Sequence, residues 1–211
     1  MQRRIGAPGP PGLAAGEQGP RVRPAAAVVH RPHQADVRRR KGVGFAQRPH
    51  GDVLRGPFAD ARQGDEAGTL RALDFEDHED RNLKLLARQY GNVPITEGKA
   101  PASITGPLKA YFDGELGALE TIKIATNGTA FQEAAWAALR AIPVGKTRSY
   151  AQQAAAIGKP KAMRAVGLAN GANPVGIVNP CHRVIGASGD LTGYGGGIER
   201  KRWLLEHEGA I

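Results

Sequence analysis

"TAFQEAAWAALRAIPVGKTRSYAQQAAAIGKPKAMRAVGLANG", residues 129–171, holds three helical segments and the punctuation between them. Thr129, followed three positions later by Gln132, is a capping box: each side chain satisfies a backbone N–H that a helix start leaves unpaired. Phe131, Ala135, Trp136 and Leu139 then return on one helical face, and Pro143 and Gly145 end the run. Ser149 and Gln152 repeat the cap, and Gly158 suits the left-handed residue that closes a helix. Pro160 is expected at the first position of the next helix, where its missing N–H costs nothing. Two short helices separated by "GK" predict a helix-turn-helix.

Working outward, "DFEDHEDRNLKLLARQYG" (residues 74–91) predicts an amphipathic helix. Acids lie in its first turns, Leu83, Leu85, Leu86 and Tyr90 supply the apolar positions, and Gly91 ends it. "PASITGPLKAYFDGEL" (101–116) predicts a short helix after Pro107, and "ALETIKIAT" (118–126) a strand with Leu119, Ile122 and Ile124 apolar. "IERKRWLLEHEG" (198–209) predicts a last helix with Trp203, Leu204 and Leu205 turned inward. Residues 1–70 have another texture, rich in Arg, Pro, Gly and Ala, with neither strand alternation nor a helical stripe. Such a segment buries too little apolar area to offset chain entropy and is expected to be disordered.

The resulting organisation is α/β overall. A disordered basic segment (1–70) precedes a small α/β unit (71–125) and a mostly helical unit (126–211). The net charge of +9 belongs chiefly to the first segment, where 12 Lys and Arg face 6 Asp and Glu. It therefore says little about what the helical unit binds. The run "RRRK" (38–41) reads as solvated charge or a nucleic-acid contact. No run of about 18 apolar residues is present, so no membrane span is expected, and the N-terminus lacks the apolar stretch of a secretion signal. A single cysteine excludes an intramolecular disulfide and a multi-thiolate zinc site, and fits a reducing compartment; the cytoplasm is the expected location.

That cysteine stands in "NPCHRVIG" (179–186). A free thiol titrates near 8.5, so nucleophilic use requires a base, and His182 is adjacent. Neighbouring side chains on an extended strand point to opposite faces, so direct proton transfer would need a bend or a bridging water. Glu208 is a candidate carboxylate behind the imidazole. Against this stands a cysteine that is simply a small buried hydrophobe. A metal site from Cys181, His182 and His207 lacks a fourth ligand.

"NPCHRVIG", with "GYGGG" (193–197) and "RKRWLLEHEG" (200–209) after it, resembles the 6-O-alkylguanine-DNA alkyltransferase (methylated-DNA–protein-cysteine methyltransferase) family. The likeness runs from about Leu73 to Glu208 and is densest from Thr129 onward. It implies irreversible, single-turnover transfer of an alkyl group to Cys181 from 6-O-alkylguanine, flipped out of double-stranded DNA gripped at its minor groove. It implies no metal or cofactor, and a monomer.

By the same resemblance His182 relays the thiol proton through a water, Glu208 polarises His182, and Asn173 holds the turn before the active segment. Tyr150 donates to the guanine ring, and Lys201 assists near the guanine oxygen. Tyr194 and the backbone of Val184 and Gly195 line the base pocket. Arg164, on a helix kept slim by Ala165 and Gly167, enters the vacated stack. "TGYGGG" carries glycine at 195 where many relatives carry serine, so only a main-chain role transfers there.

The resemblance also implies a small antiparallel sheet ahead of residue 71 that is not recognisable in residues 1–70. That segment reads like a GC-rich coding sequence translated out of frame, and an incomplete first unit is expected to weaken the protein. A non-catalytic alkylguanine sensor, a helix-turn-helix regulator and a thiol hydrolase are the other readings. The sensor class lacks the acceptor cysteine, the regulator leaves "PCHRV" unexplained, and a hydrolase would need an oxyanion site.

Overall fold

The computed structural model describes residues 27–28, 60–64, 68–91, 95–96 and 100–211. Along them run β1 (Ala27–Val28), β2 (Asp60–Gly64), β3 (Leu70–Asp74), α1 (Glu79–Tyr90), β4 (Ile95–Thr96) and α2 (Ala102–Phe112). Then follow α3 (Ala130–Arg140), β5 (Arg148–Ser149), α4 (Tyr150–Ala156), α5 (Met163–Gly171), β6 (Val184–Ile185) and α6 (Ile198–His207). β2 and β3 pair antiparallel; β1 with β4, and β5 with β6, pair parallel. Among the described residues, the stretch expected to lack structure thus supplies β1, β2 and the first residue of β3. The rest of residues 1–70, "RRRK" included, lies outside the described residues, and so does the out-of-frame reading.

Several elements form as their sequence dictates. α1 carries Glu79 and Asp80 in its first turn and Arg88 in its last, matching the helix dipole, and Gly91 closes it with φ 72°. Both capping boxes are closed. Thr129 accepts from the Gln132 N–H at 3.3 Å while Gln132 accepts from the Thr129 N–H at 2.9 Å. Ser149 and Gln152 do the same at 3.2 and 2.7 Å.

Three expectations give way. α2 begins at Ala102 and runs through Pro107. The proline removes one ladder bond, but Ile104, Leu108, Tyr111 and Phe112 are buried on one face, and that packing outweighs the loss. Ala118–Thr121 forms a 3-10 turn rather than a strand, since Leu119 and Ile122, three apart, fall on the same side of such a turn. Only Ile124 bridges to β3, opposite Leu70. Pro160 sits in the turn after α4, and α5 starts at Met163 with Ala162 as its cap.

Among the described residues two apolar cores result. The smaller gathers Trp136, Leu139, Ile142 and Val184. The larger mixes both halves of the chain: Leu70, Leu73, Ile104 and Tyr111 pack with Val175, Ile177 and Leu204. A buried polar brace ties α3, α4 and α5 together. Gln153 and Asn170 exchange amide hydrogen bonds at 3.0 and 2.7 Å, Gln153 also donates to the Ala135 carbonyl at 3.0 Å, and Trp136 Nε1 donates to the Ala169 carbonyl at 2.8 Å.

Candidate active site

The segment that delivers Cys181 is held from the N-terminal half. Leu73 bridges to Val175 in parallel fashion: its N–H donates to the Pro174 carbonyl, and its carbonyl accepts from Gly176, both at 2.8 Å. Ile177 then takes φ 66°, a left-handed value in which a β-branched residue is strained. Its side chain is locked into the larger core, which is how such strain persists.

Cys181, His182 and Arg183 form a 3-10 turn rather than a strand, followed directly by β6. Successive side chains therefore fan out by about a third of a turn instead of opposing each other. The thiol is half-buried, and Asn173 Nδ2 approaches Sγ at 3.5 Å. Asn173 also donates to the Asn179 carbonyl at 2.9 Å and accepts from the Val175 N–H at 3.1 Å, which fixes the turn before the thiol. Burial pushes the Cys181 thiol up; the Asn173 bond and the charges of Arg81 and Lys201 pull it back part of the way. At rest the sulfur keeps its proton, and a base has work to do.

His182 is fully buried, and its Nε2–H donates to Glu208 Oε1 at 3.0 Å. This fixes the tautomer and leaves Nδ1, buried and without a hydrogen-bond partner among the described residues, as the basic nitrogen. Burial holds the imidazole below its usual value, the Glu208 bond and charge restoring only part. Glu208 is itself buried, which disfavours its charge. Hydrogen bonds from His182 and Arg183, with the Arg183 charge, outweigh that and hold the carboxyl well below the usual range.

Arg183 clasps Glu208 through two bonds, Nε to Oε2 at 2.7 Å and a terminal nitrogen to Oε1 at 2.9 Å, and donates to the Ile142 carbonyl at 2.6 Å. Tyr111, from α2, donates its hydroxyl to Glu208 Oε1 at 2.7 Å. Sequence reasoning missed both partners. Arg183 had a signal: a guanidinium amid apolar residues requires a buried carboxylate. Tyr111, 97 positions before Glu208, had none.

Lys201 is fully buried and staples two segments, donating to the Val184 carbonyl at 2.5 Å and the Thr192 carbonyl at 2.7 Å. Burial lowers its pKa to about 8, with Cys181 acting the other way. Tyr150 opens α4, and its hydroxyl donates to the Thr192 and Gly193 carbonyls at 3.2 and 3.4 Å. Tyr194 lies edge-on to the His182 ring, centroids 6.4 Å apart, and to Phe75 at 6.3 Å.

Beside it, two glycines sit in close quarters: a side chain at 195 would make the flexible Arg81 guanidinium move aside, and one at 196 would meet the Phe75 ring. A Cβ on Gly195 would stand 2.6 Å from the Arg81 guanidinium, and one on Gly196 would stand 2.3 Å from the Phe75 ring. Arg81, a third residue that sequence reasoning passed over, also pairs with Asp74 and donates to the Gly171 carbonyl at 2.9 Å. Thus Cys181, His182, Glu208, Asn173, Lys201, Tyr194, Tyr150, Val184 and Gly195 converge. Arg164 and Ala165 are exposed on α5, and Gly167 faces the Tyr150 ring. Among the described residues no cluster of three or more His, Cys, Asp or Glu is placed to hold a metal, and no helix is long and apolar enough to cross a membrane.

A half-buried thiol beside a buried imidazole–carboxylate pair has the chemistry of a cysteine group-transfer protein. Residues 130–210 match the model for the 6-O-methylguanine DNA methyltransferase DNA binding domain. The chain belongs to the methylated-DNA–protein-cysteine methyltransferase family. It is 50% identical over 149 residues to the Salmonella typhimurium methylated-DNA–protein-cysteine methyltransferase, covering 70% of this chain and 87% of that one. It is 52% identical over 130 residues to the Mycobacterium tuberculosis protein of that name, covering 60% and 78%.

Among solved structures it is similar to Mycobacterium tuberculosis OGT in complex with DNA, with TM-score 0.58 and 42% identity, covering 71% of this chain and 88% of that one. The Pyrococcus kodakaraensis O6-methylguanine-DNA methyltransferase gives TM-score 0.58 at 26% identity, covering 67% and 87%.

Proposed function

We propose that this protein repairs DNA by moving an alkyl group from 6-O-alkylguanine onto Cys181, once per molecule. The observation that carries the reading is the fully buried His182–Glu208 pair, 3.0 Å apart, adjoining the chain's only cysteine. As the lesion docks, the Sγ proton passes through a water to His182 Nδ1, and the imidazolium is stabilised by Glu208. Sulfur then attacks the alkyl carbon in line; the S–C bond forms, the C–O bond breaks, and the electron pair goes to the purine. Tyr150 turns from the Thr192–Gly193 loop to donate to the ring, which lowers the cost of the departing anion. The thioether is stable, so no second turnover follows.

The lesion carbon is inside a duplex, and reaching it costs a few kcal/mol of unstacking. We assign α4 and α5 to a helix-turn-helix, with a small wing from β5 and β6. In this reading α5 enters the minor groove. Its small residues Ala165 and Gly167 permit close approach, Arg164 fills the vacated stack, and Tyr194 with the backbone of Val184 and Gly195 receives the base. Lys201 holds the pocket's two backbone walls and sits near the guanine oxygen. The protein acts as a monomer in the cytoplasm, where a lone thiol stays reduced.

Incubation with duplex carrying radiolabelled 6-O-methylguanine should move label to protein, one methyl per molecule. Cys181→Ser should abolish this and leave DNA binding intact. Tight binding without any transfer by the unsubstituted chain would overturn the reading in favour of a sensor.

A further inference from the structure

Glu208 Oε1 accepts three hydrogen bonds, one more than relay and charge balance need. His182 and Arg183 come from the catalytic turn itself. The third donor, Tyr111, is fully buried and comes from α2, outside the segment matched to the DNA-binding domain. A phenylalanine would fill that position equally well in apolar terms, as the neighbouring Phe112 does. The hydroxyl is therefore the part to explain. Its bond, 2.7 Å long, goes to the same oxygen that faces His182.

We propose that Tyr111 is a positioning residue for the proton relay: its hydroxyl fixes Glu208 Oε1 and limits how much of that carboxylate's charge reaches His182. A carboxylate oxygen divides its lone-pair density among its donors. With Tyr111 and Arg183 drawing on Oε1, His182 receives less, and its Nδ1 stays neutral and ready to accept the Sγ proton. Burial and the nearby carboxylate keep the phenol well above its usual range, so it remains a donor at every working pH.

The groups facing the pair are few. Arg183 comes from the same turn and Lys201 from α6; Tyr194 lies edge-on to His182, and His207 is edge-on to Tyr111 with ring centroids 5.0 Å apart. His207 Nε2 donates to the Tyr111 carbonyl at 2.8 Å, so α6 holds the backbone of the residue whose side chain holds Glu208. The N-terminal half is then part of the proton machinery and not only a scaffold for it. The inference rests on the alkyl-transfer reading.

The test uses the full chain with nitrogen-labelled histidine, comparing it with Tyr111→Phe. One measurement is the His182 imidazole titration in unreacted protein; the other is the single-turnover methyl-transfer rate along its acidic limb. Both should move to higher pH by about half to one unit, the worth of one hydrogen bond spread over the pair. Fluorotyrosine placed at 111, a stronger donor, should move both the other way, and serves if the Phe variant does not fold. If both titrations stay where they were and only thermal stability changes, Tyr111 is a packing residue and the proposal fails. If the unsubstituted chain forms no methyl adduct, the transfer reading fails instead, while the imidazole titration still decides the role of Tyr111.

Discussion

The buried cluster around Glu208 and the outer face of α5 are built on opposite principles. The cluster is closed: Tyr111, His182, Arg183 and Glu208 are all buried, and each spends its polar atoms mainly on the others. The α5 face is open, with Arg164 and Ala165 exposed, Met163 48% exposed and Leu168 77% exposed. On the inner side of α5 the Gln153–Asn170 brace fixes the helix to α4. Groups that steer a proton must be desolvated and fixed beforehand, whereas groups that meet a large partner must remain available.

The contrast can be broken most severely at the sulfur. Cys181→Ser should remove all methyl adduct, read by mass spectrometry, with duplex affinity unchanged by anisotropy. Glu208→Gln comes next. It leaves the Arg183 charge buried without its counter-charge and should cost about 3–5 kcal/mol in urea unfolding. An equally stable Gln variant would mean that the closed region is looser than drawn. Arg164→Ala should weaken binding to lesion duplex by about tenfold, given the few kcal/mol at stake in an open stack. It should leave thiol alkylation by a small reagent untouched, which separates the two regions.

Acid should act on the closed region. His182 has its folded value lowered by burial, so below about pH 6.5 the unfolded chain binds the extra proton first and stability falls as pH drops. Glu208, held down mainly by His182 and Arg183 against its burial, adds a contribution that is full above about pH 4.3 and lost below it. Urea midpoints across that range should show both losses. Smallest of all, Leu168→Ser should change stability by no more than about 0.5 kcal/mol, because the side chain is already in water. A larger loss in the same urea assay would place Leu168 in the packed region.

What could be read from the chain beforehand follows from range. Capping boxes and the left-handed glycines are local, and they survived unchanged, whereas the stretch at Cys181–His182 is a 3-10 turn where a strand was expected. Asn173 and Glu208 were reachable through motif resemblance. The strand expected over 118–126 failed because three apolar residues at mixed spacing fit a 3-10 turn as well as a strand, and the surrounding core chose. The helix through Pro107 failed to be foreseen because its stability comes from four buried partners, not from its own sequence. Tyr111 was invisible for the same reason, its partner Glu208 lying 97 positions away, and so was the reach of Arg81 to Gly171, 90 positions off.

The Leu73–Val175 bridge bears on how the molecule could be pared down. The peptide that leads to the reactive sulfur leans on a strand from the first half, so a fragment cut at residue 126 would strip the strained Ile177 segment of its Leu73 bridge and of the first-half side of its core. Anyone grafting this chemistry onto another carrier should transplant β3 together with the helices, since the Leu73 N–H and carbonyl are the backbone partners of Pro174 and Gly176.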